Sequence, residues 1–201
     1  MCFIISIAII LILRINKIYH FPKILVYSFY QVISVFTTTG FSSSKDFINW
    51  PIYLIILLIF IGIIGGCSGS TSGGIKFIRI ILYTKQIFQE IKYLIHPYGT
   101  FPIKLDQDII SKKIISSAWS FLAIYIFVFL IMWILLISFG LDFKSAFFSI
   151  ATCISNTGIN LGINFSKIGN LSQYLLSFAM IMGRLEFFSI LILFSPIFWR
   201  R

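Results

Sequence analysis

Two short polar stretches, TTTG at residues 37–40 and SNTG at residues 155–158, carry the oxygen-rich, glycine-ended pattern that a dehydrated cation requires. A cation leaving water exchanges its hydration shell for several oxygen ligands. Backbone carbonyls on an extended loop supply them without bulky side chains in the way. Gly40 and Gly158 permit the dihedrals that turn successive carbonyls toward one axis. Thr37, Thr38, Thr39, Ser155, Asn156 and Thr157 add side-chain oxygens. Each stretch follows about ten helix-compatible residues, within residues 26–44 and 143–162, and the negative end of such a half-helix favours a cation nearby. Either stretch alone reads equally well as an ordinary turn between helices.

The two are in register. A shift of 118 residues places Phe29 on Phe147, Ser34 on Thr152, Thr37 on Ser155, Thr39 on Thr157 and Gly40 on Gly158. The same shift puts Gly65 on Gly183 in the following helix. A constant offset across two elements predicts a duplicated unit of span, re-entrant loop and span, and it favours the ion site over two unrelated turns.

A third stretch, GGCSGSTSGGIK at residues 65–76, interrupts a membrane-grade apolar run with ten small or polar residues. Gly69 to Gly74 has the outer glycine spacing of a phosphate-binding loop, but Ile75 stands where that motif needs lysine, and no soluble strand precedes it. Unwound backbone at membrane depth is tolerated where it is buried in protein or lines a wet cavity. Residues 65–74 therefore read as a small, movable obstruction of a pore. Arg184, in FAMIMGRLEFF, corresponds by the 118-residue shift to Gly66 and should lie at the depth of this stretch. A cation so deep in a span marks a cavity or ion path; it would hold the stretch through carbonyls or repel permeating cations. Glu186, two residues on, points to another helix face, so a local ion pair with Arg184 is not expected.

These stretches must be positioned by membrane helices. Of 201 residues, 59% are hydrophobic and 11% charged, with mean hydropathy +1.00, too apolar for a soluble domain of this length. The net charge of +10 reads as lysines flanking spans rather than a nucleic-acid surface. Apolar segments fall at 2–13, 50–64, 75–82, 114–139 and 171–199, and only the last two exceed the roughly 20 residues needed to cross. Basic residues favour a cytoplasmic 76–113 connection and C-terminus, nine against six on the opposite side. Trp50, Trp119 and Trp199 sit at span ends as interfacial residues do. Cys2, Cys67 and Cys153 form neither a metal spacing nor a disulfide framework. His20 and His96 lie beside prolines without catalytic partners, so no enzyme is expected and no resident cofactor is implied.

SVFTTTGF, GGCSGSTSGGIKFIR, the HP at residues 96–97, NTGINLG and MGRLEFFSILILFSPIFWR together resemble the C-terminal half of the TrkH/KtrB potassium-uptake family. The resemblance runs along essentially the whole chain. It implies an all-α, potassium-channel-like membrane fold with two of four membrane helix–pore loop–membrane helix repeats: the third at residues 1–98 and the fourth at 99–201. It implies that Thr37 to Gly40 and Ser155 to Gly158 are filter segments, with potassium at Thr38, Thr39, Asn156 and Thr157. It also implies that Gly65, Gly66, Cys67, Ser68, Gly69, Ser70, Thr71, Ser72, Gly73 and Gly74 form an intramembrane gate with Lys76 at its inner end, contacted by Arg184. The expected setting is the cell (inner) membrane, as a dimer with a cytosolic nucleotide-binding regulatory subunit.

Three positions depart from the family pattern: Ile159 and Asn160 replace a Pro-Gly after the fourth filter glycine, and Ser72 stands where the gate has Gly. The chain opens within the expected first helix of the third repeat, with twelve apolar residues before Arg14. A carbonyl ring needs four contributors. Three states follow: a separate polypeptide supplies the first half, two copies pair, or the chain is a non-conducting remnant or structural subunit.

Overall fold

The computed structural model describes residues 21–42, 50–67, 69, 70, 72–105, 108–159, 165 and 168–199. The expected span at 2–13 lies outside them, as do Ser68, Thr71 and Asn160. In chain order the described elements are α1 (Phe21–Phe36), α2 (Ile52–Ile64), α3 (Phe77–Ile95), β1 (Lys104–Leu105), β2 (Asp108–Ile109), α4 (Lys112–Ser138), α5 (Phe143–Ile154), α6 (Asn170–Arg184), α7 (Phe187–Phe194) and the single turn α8 (Pro196–Trp199). The two strands form a minimal antiparallel pair, Lys104 opposite Ile109 and Leu105 opposite Asp108.

Length decides which helices can cross a bilayer. Helix α4 has 27 residues, and at a rise of about 1.5 Å per residue it covers about 40 Å, more than a hydrocarbon core of about 30 Å. Among the described residues it alone is long and apolar enough to cross unaided. It buries Ala118, Phe121, Tyr125, Met132 and Leu136, while Ile126, Phe127, Leu130 and Ile134 stand exposed on its other sides, as a lipid-facing surface should. Helices α1 and α5, of 16 and 12 residues, are apolar but too short. Small residues let α5 nest between neighbours: Ala146, Ser149 and Ala151 are fully buried, and the helix packs on both α4 and α6. Helix α1 packs on α2, and α2 reaches α5.

Two expected segments differ in the structure. The predicted single span at 171–199 is broken: α6 ends at Arg184, and α7 leaves at 108°. The break is local to Leu185 and Glu186. Leu185 N–H still reaches Ile181 O at 3.0 Å, whereas Glu186 takes φ +55° and its carbonyl starts the next helix by accepting Ser189 N–H at 3.1 Å. The apolar run at 75–82 does not end there but continues as α3 to Ile95. What extends it is packing on α4: Leu82 and Tyr83 are buried, and Tyr83 Oη donates to Ala118 O at 2.7 Å. Further along, Lys85 Nζ donates to Lys104 O at 2.6 Å, tying α3 to the strand pair.

Two apolar clusters organise the packing. One joins α1 and α2 through Val32, Val35, Leu54 and Leu58, and includes Ala151 and Ile159; the other joins the start of α3 to α4–α7 through Phe121, Tyr125, Ile150, Leu176 and Phe187. Ile63 and Phe129 touch both.

Candidate functional site

The two polar turns close their half-helices with the same hydrogen bonds. After α1, the N–H groups of Thr37, Thr38 and Thr39 donate to the carbonyls of Ile33, Val35 and Ser34 at 2.9, 3.1 and 2.9 Å. After α5, those of Ser155, Asn156 and Thr157 donate to Ala151, Cys153 and Thr152 at 3.2, 3.1 and 3.1 Å. The hydroxyls repeat as well: Thr37 Oγ1 donates to Ile33 O at 2.8 Å and Ser155 Oγ to Ala151 O at 2.6 Å. Thr37 Oγ1 and Thr39 Oγ1 lie 2.7 Å apart, Ser155 Oγ and Thr157 Oγ1 3.3 Å. The dihedrals follow suit, with Thr38 and Asn156 both at φ +54°, Gly40 at +83° and Gly158 at +65°. Every one of these pairs is separated by 118 residues.

This arrangement has an electrostatic consequence. The turn N–H groups are consumed by the last carbonyls of each half-helix. Among the described residues, the carbonyl oxygens of 37–40 and 155–158 accept no hydrogen bond. A backbone whose donors are satisfied inward and whose acceptors are left free can present its oxygens to a cation, and the helix ends add negative potential. The turns also meet: a Cβ on Gly40 would overlap Thr157 O, and the Gly158 position lies 4.0 Å from Gly40 Cα. Gly183 lets α6 approach closely behind the second turn, for a Cβ there would overlap Ile154 O and lie 2.7 Å from Asn156 Nδ2. The paired glycines Gly65 and Gly183 thus do different work.

The stretch at 65–74 is a compact loop folded back on the end of α2. Gly65, at φ +70°, terminates the helix with its N–H on Ile61 O at 3.1 Å. Ile75 N–H returns to Ile63 O at 2.8 Å, and Phe77 N–H to Gly66 O at 3.1 Å. Inside the loop Gly66 N–H donates to Ser72 Oγ at 3.1 Å, Ser70 and Ser72 hydroxyls lie 2.6 Å apart, and Ser70 Oγ donates to Cys67 O at 2.8 Å. Cys67, Gly69 and Ser70 are exposed, while Gly65, Gly66, Ser72, Gly73 and Gly74 are buried. Gly73 lies against the second turn: a Cβ there would be 2.6 Å from Ser155 O and 3.1 Å from Asn156 Cβ. Ser72 therefore holds the loop together through its hydroxyl.

Charge is distributed differently from the sequence expectation. Arg184 is exposed and makes no hydrogen bond to the described residues of the loop. The loop's exit is held instead by Glu186, whose carboxylate pairs with Lys76 Nζ and, at 3.0 Å, with Arg79 Nη2. Arg79 also lies over the Phe121 ring, 3.9 Å from its centroid. Glu186 and Arg79 are the residues that sequence reasoning passed over. A partner 110 residues away leaves no local signal in the sequence.

A family model described as TrkH, cation transport protein, matches residues 7–201. The Trk system potassium uptake protein TrkH of Escherichia coli K12 is 40% identical over 176 residues, which cover 86% of this chain and 36% of that protein. The Trk system potassium uptake protein TrkG of the same organism is 36% identical over 179 residues, 87% of this chain and 36% of its own length. The crystal structure of the potassium transporter TrkH from Vibrio parahaemolyticus superimposes with a TM-score of 0.91 at 34% identity, covering 99% of this chain and 43% of that one. The chain thus spans 36% of the length of these curated relatives.

Proposed function

The chain belongs to the TrkH family of cation transport proteins, and from that premise we propose that it forms part of the wall of a potassium-uptake pathway across the cell (inner) membrane. Residues 1–98 and 99–201 are two of four channel-like repeats in this reading. One observation carries it: two turns with the same hydrogen bonds, the same left-handed residues and the same free carbonyls recur 118 residues apart and touch one another. Potassium sheds water against the carbonyls of Thr38, Thr39, Asn156 and Thr157, with Gly40 and Gly158 turning the backbone.

Residues 65–74 and Lys76 act as the gate, and the closeness of Gly73 to Ser155 O supports that role. Arg184, exposed where the last membrane helix breaks, faces the ion path and disfavours cations until the gate is displaced. The remaining two filter segments come from a first half carried elsewhere or from a second copy. Assembly as a dimer, with a cytosolic nucleotide-binding regulatory subunit on the basic surface of 76–113, completes the proposal.

Rubidium uptake in cells lacking their own potassium importers tests it. The chain is expressed alone, with a supplied first half, and with Gly158→Asp in each setting. Uptake abolished by Gly158→Asp supports the filter, and the setting in which it occurs identifies the partner. Protein present in the membrane with no uptake in either setting overturns the conducting role.

A further inference from the structure

Two residues with side chains hold left-handed backbone angles at opposite ends of one ion pair. Lys76, at the exit of the glycine-rich loop, has φ +71°; Glu186, in the break of the last membrane helix, has φ +55°. Such conformations are costly away from glycine and persist where the surroundings over-determine them. Each residue also stands immediately before a helix, Lys76 before α3 and Glu186 before α7.

The electrostatics explain why they need each other. The N-terminus of α3 opens with Lys76 and Arg79 and has no acid in its first turn, the wrong sign for the positive end of a helix. Glu186 supplies the missing negative charge from 110 residues away, one carboxylate oxygen on Lys76 and the other on Arg79. Arg79 is fixed further by Ile75 O at 3.2 Å and by Phe121, whose ring packs on Phe187 and Phe188 with centroids 5.7 and 6.1 Å away. The Lys76 and Arg79 side chains are 16% and 19% exposed and that of Glu186 is 36%, so solvent screens the carboxylate more than the two cations it bridges. The consequence is mechanical: the loop's exit and the helix break are one body while the carboxylate bridges both cations.

We infer that Glu186 is a positioning residue that latches the glycine-rich loop in its folded-back state, coupling the loop's release to movement at the 108° break. The inference rests on the reading of residues 65–74 as a gate, and its test needs no ion flux. Ser72 is 9% exposed inside the folded loop. In membranes containing the chain with Cys2→Ser and Cys67→Ser, Ser72→Cys puts a thiol in place of the hydroxyl that Gly66 N–H and Ser70 Oγ meet, and every rate below is compared with that of this parent, whose folded loop shields the position from maleimide. The native Cys153, 1% exposed in the core, reports general loosening.

Glu186→Gln is expected to raise the labelling rate of the introduced thiol about tenfold, the effect of a shift of about 1.4 kcal/mol in the opening equilibrium. Glu186→Asp should stay within about twofold, since the charge is retained. Lys76→Gln should give a smaller rise, because Arg79 still holds the carboxylate, and Lys76→Gln with Glu186→Gln should label no faster than Glu186→Gln alone. The inference is overturned if Glu186→Gln leaves the rate unchanged, if the two effects multiply, or if Cys153 becomes reactive in parallel. Absence of rubidium uptake bears on the transport reading alone, because labelling proceeds whether or not the pathway conducts.

Discussion

Replacing Gly73 by alanine isolates the contact between the glycine-rich loop and the second polar turn. Gly73 does not occupy the left-handed region, so the new methyl adds no backbone strain and acts through space alone. It would stand 2.6 Å from Ser155 O, 2.9 Å from Ser155 C and 3.1 Å from Asn156 Cβ, inside ordinary van der Waals contact, and two of these three atoms are backbone. Forcing a methyl into such a site costs about 1–3 kcal/mol. The loop should give way. The turn is pinned by three backbone hydrogen bonds and backed by α6 at Gly183, whereas the loop, tied at its exit by Ile75 N–H on Ile63 O and Phe77 N–H on Gly66 O, holds its middle by one backbone turn and hydroxyl bonds and exposes Cys67, Gly69 and Ser70.

The cost therefore falls on the folded-back state of the loop, shifting its opening equilibrium by roughly 5- to 150-fold. Gly69→Ala is the matched control. Among the described residues nothing lies within 4 Å of a Cβ there, so its effect should stay within about 0.5 kcal/mol. Initial rubidium uptake, normalised to chain in the membrane and measured in whichever assembly transports, should rise at least about fivefold for Gly73→Ala and stay at the parental rate for Gly69→Ala. Equal effects at the two glycines, or lower uptake with Gly73→Ala, would refute the argument that the loop closes against the turn.

Two further outcomes follow from the same geometry. Gly40 and Gly158 both take positive φ, so alanine at either should cost about 1–2 kcal/mol in strain. Only at Gly40 does the methyl also overlap Thr157 O, so Gly40→Ala should lose more rubidium-over-sodium discrimination than Gly158→Ala in a competition uptake assay, and the reverse order would sink the assignment. Tyr83→Phe removes a buried hydroxyl bond to Ala118 O that involves no residue of either turn. The loss of about 1 kcal/mol should lower the unfolding midpoint in detergent by about 2–4 °C while uptake per chain stays unchanged.

Much of the site is legible in the sequence because its determinants are local. The half-helix followed by a Thr-rich, glycine-ended turn is written in about fifteen consecutive residues, and the 118-residue register pairs the two turns before any coordinates exist. The structure adds what the register means in hydrogen bonds, down to Thr38 and Asn156 sharing φ +54°. Asn156 tolerates that angle by residue type, whereas β-branched Thr38 does so only because the turn's hydrogen bonds impose it. Helix α4 is also legible, because an uninterrupted apolar run has one membrane solution. The strand pair and the long α3 were not, for their anchors, Tyr83 to Ala118 and Lys85 to Lys104, join residues 35 and 19 apart.

The solvent, the repeat and the interruption are written in the order of the residues. Hydropathy dictates a bilayer, the constant offset dictates two similar turns, and ten small residues in an apolar run dictate an unwound stretch. Each of these follows from side-chain chemistry summed over neighbours in the chain. The pairings arise only in the folded chain: Glu186 with Lys76 and Arg79, Gly73 with Ser155, Gly40 with Thr157, and the break that an unbroken apolar run at 171–199 conceals. The physical reason is that a charge or a missing Cβ specifies only that a partner or a close neighbour must exist. Which one it meets depends on how distant segments pack, and no local pattern encodes that choice.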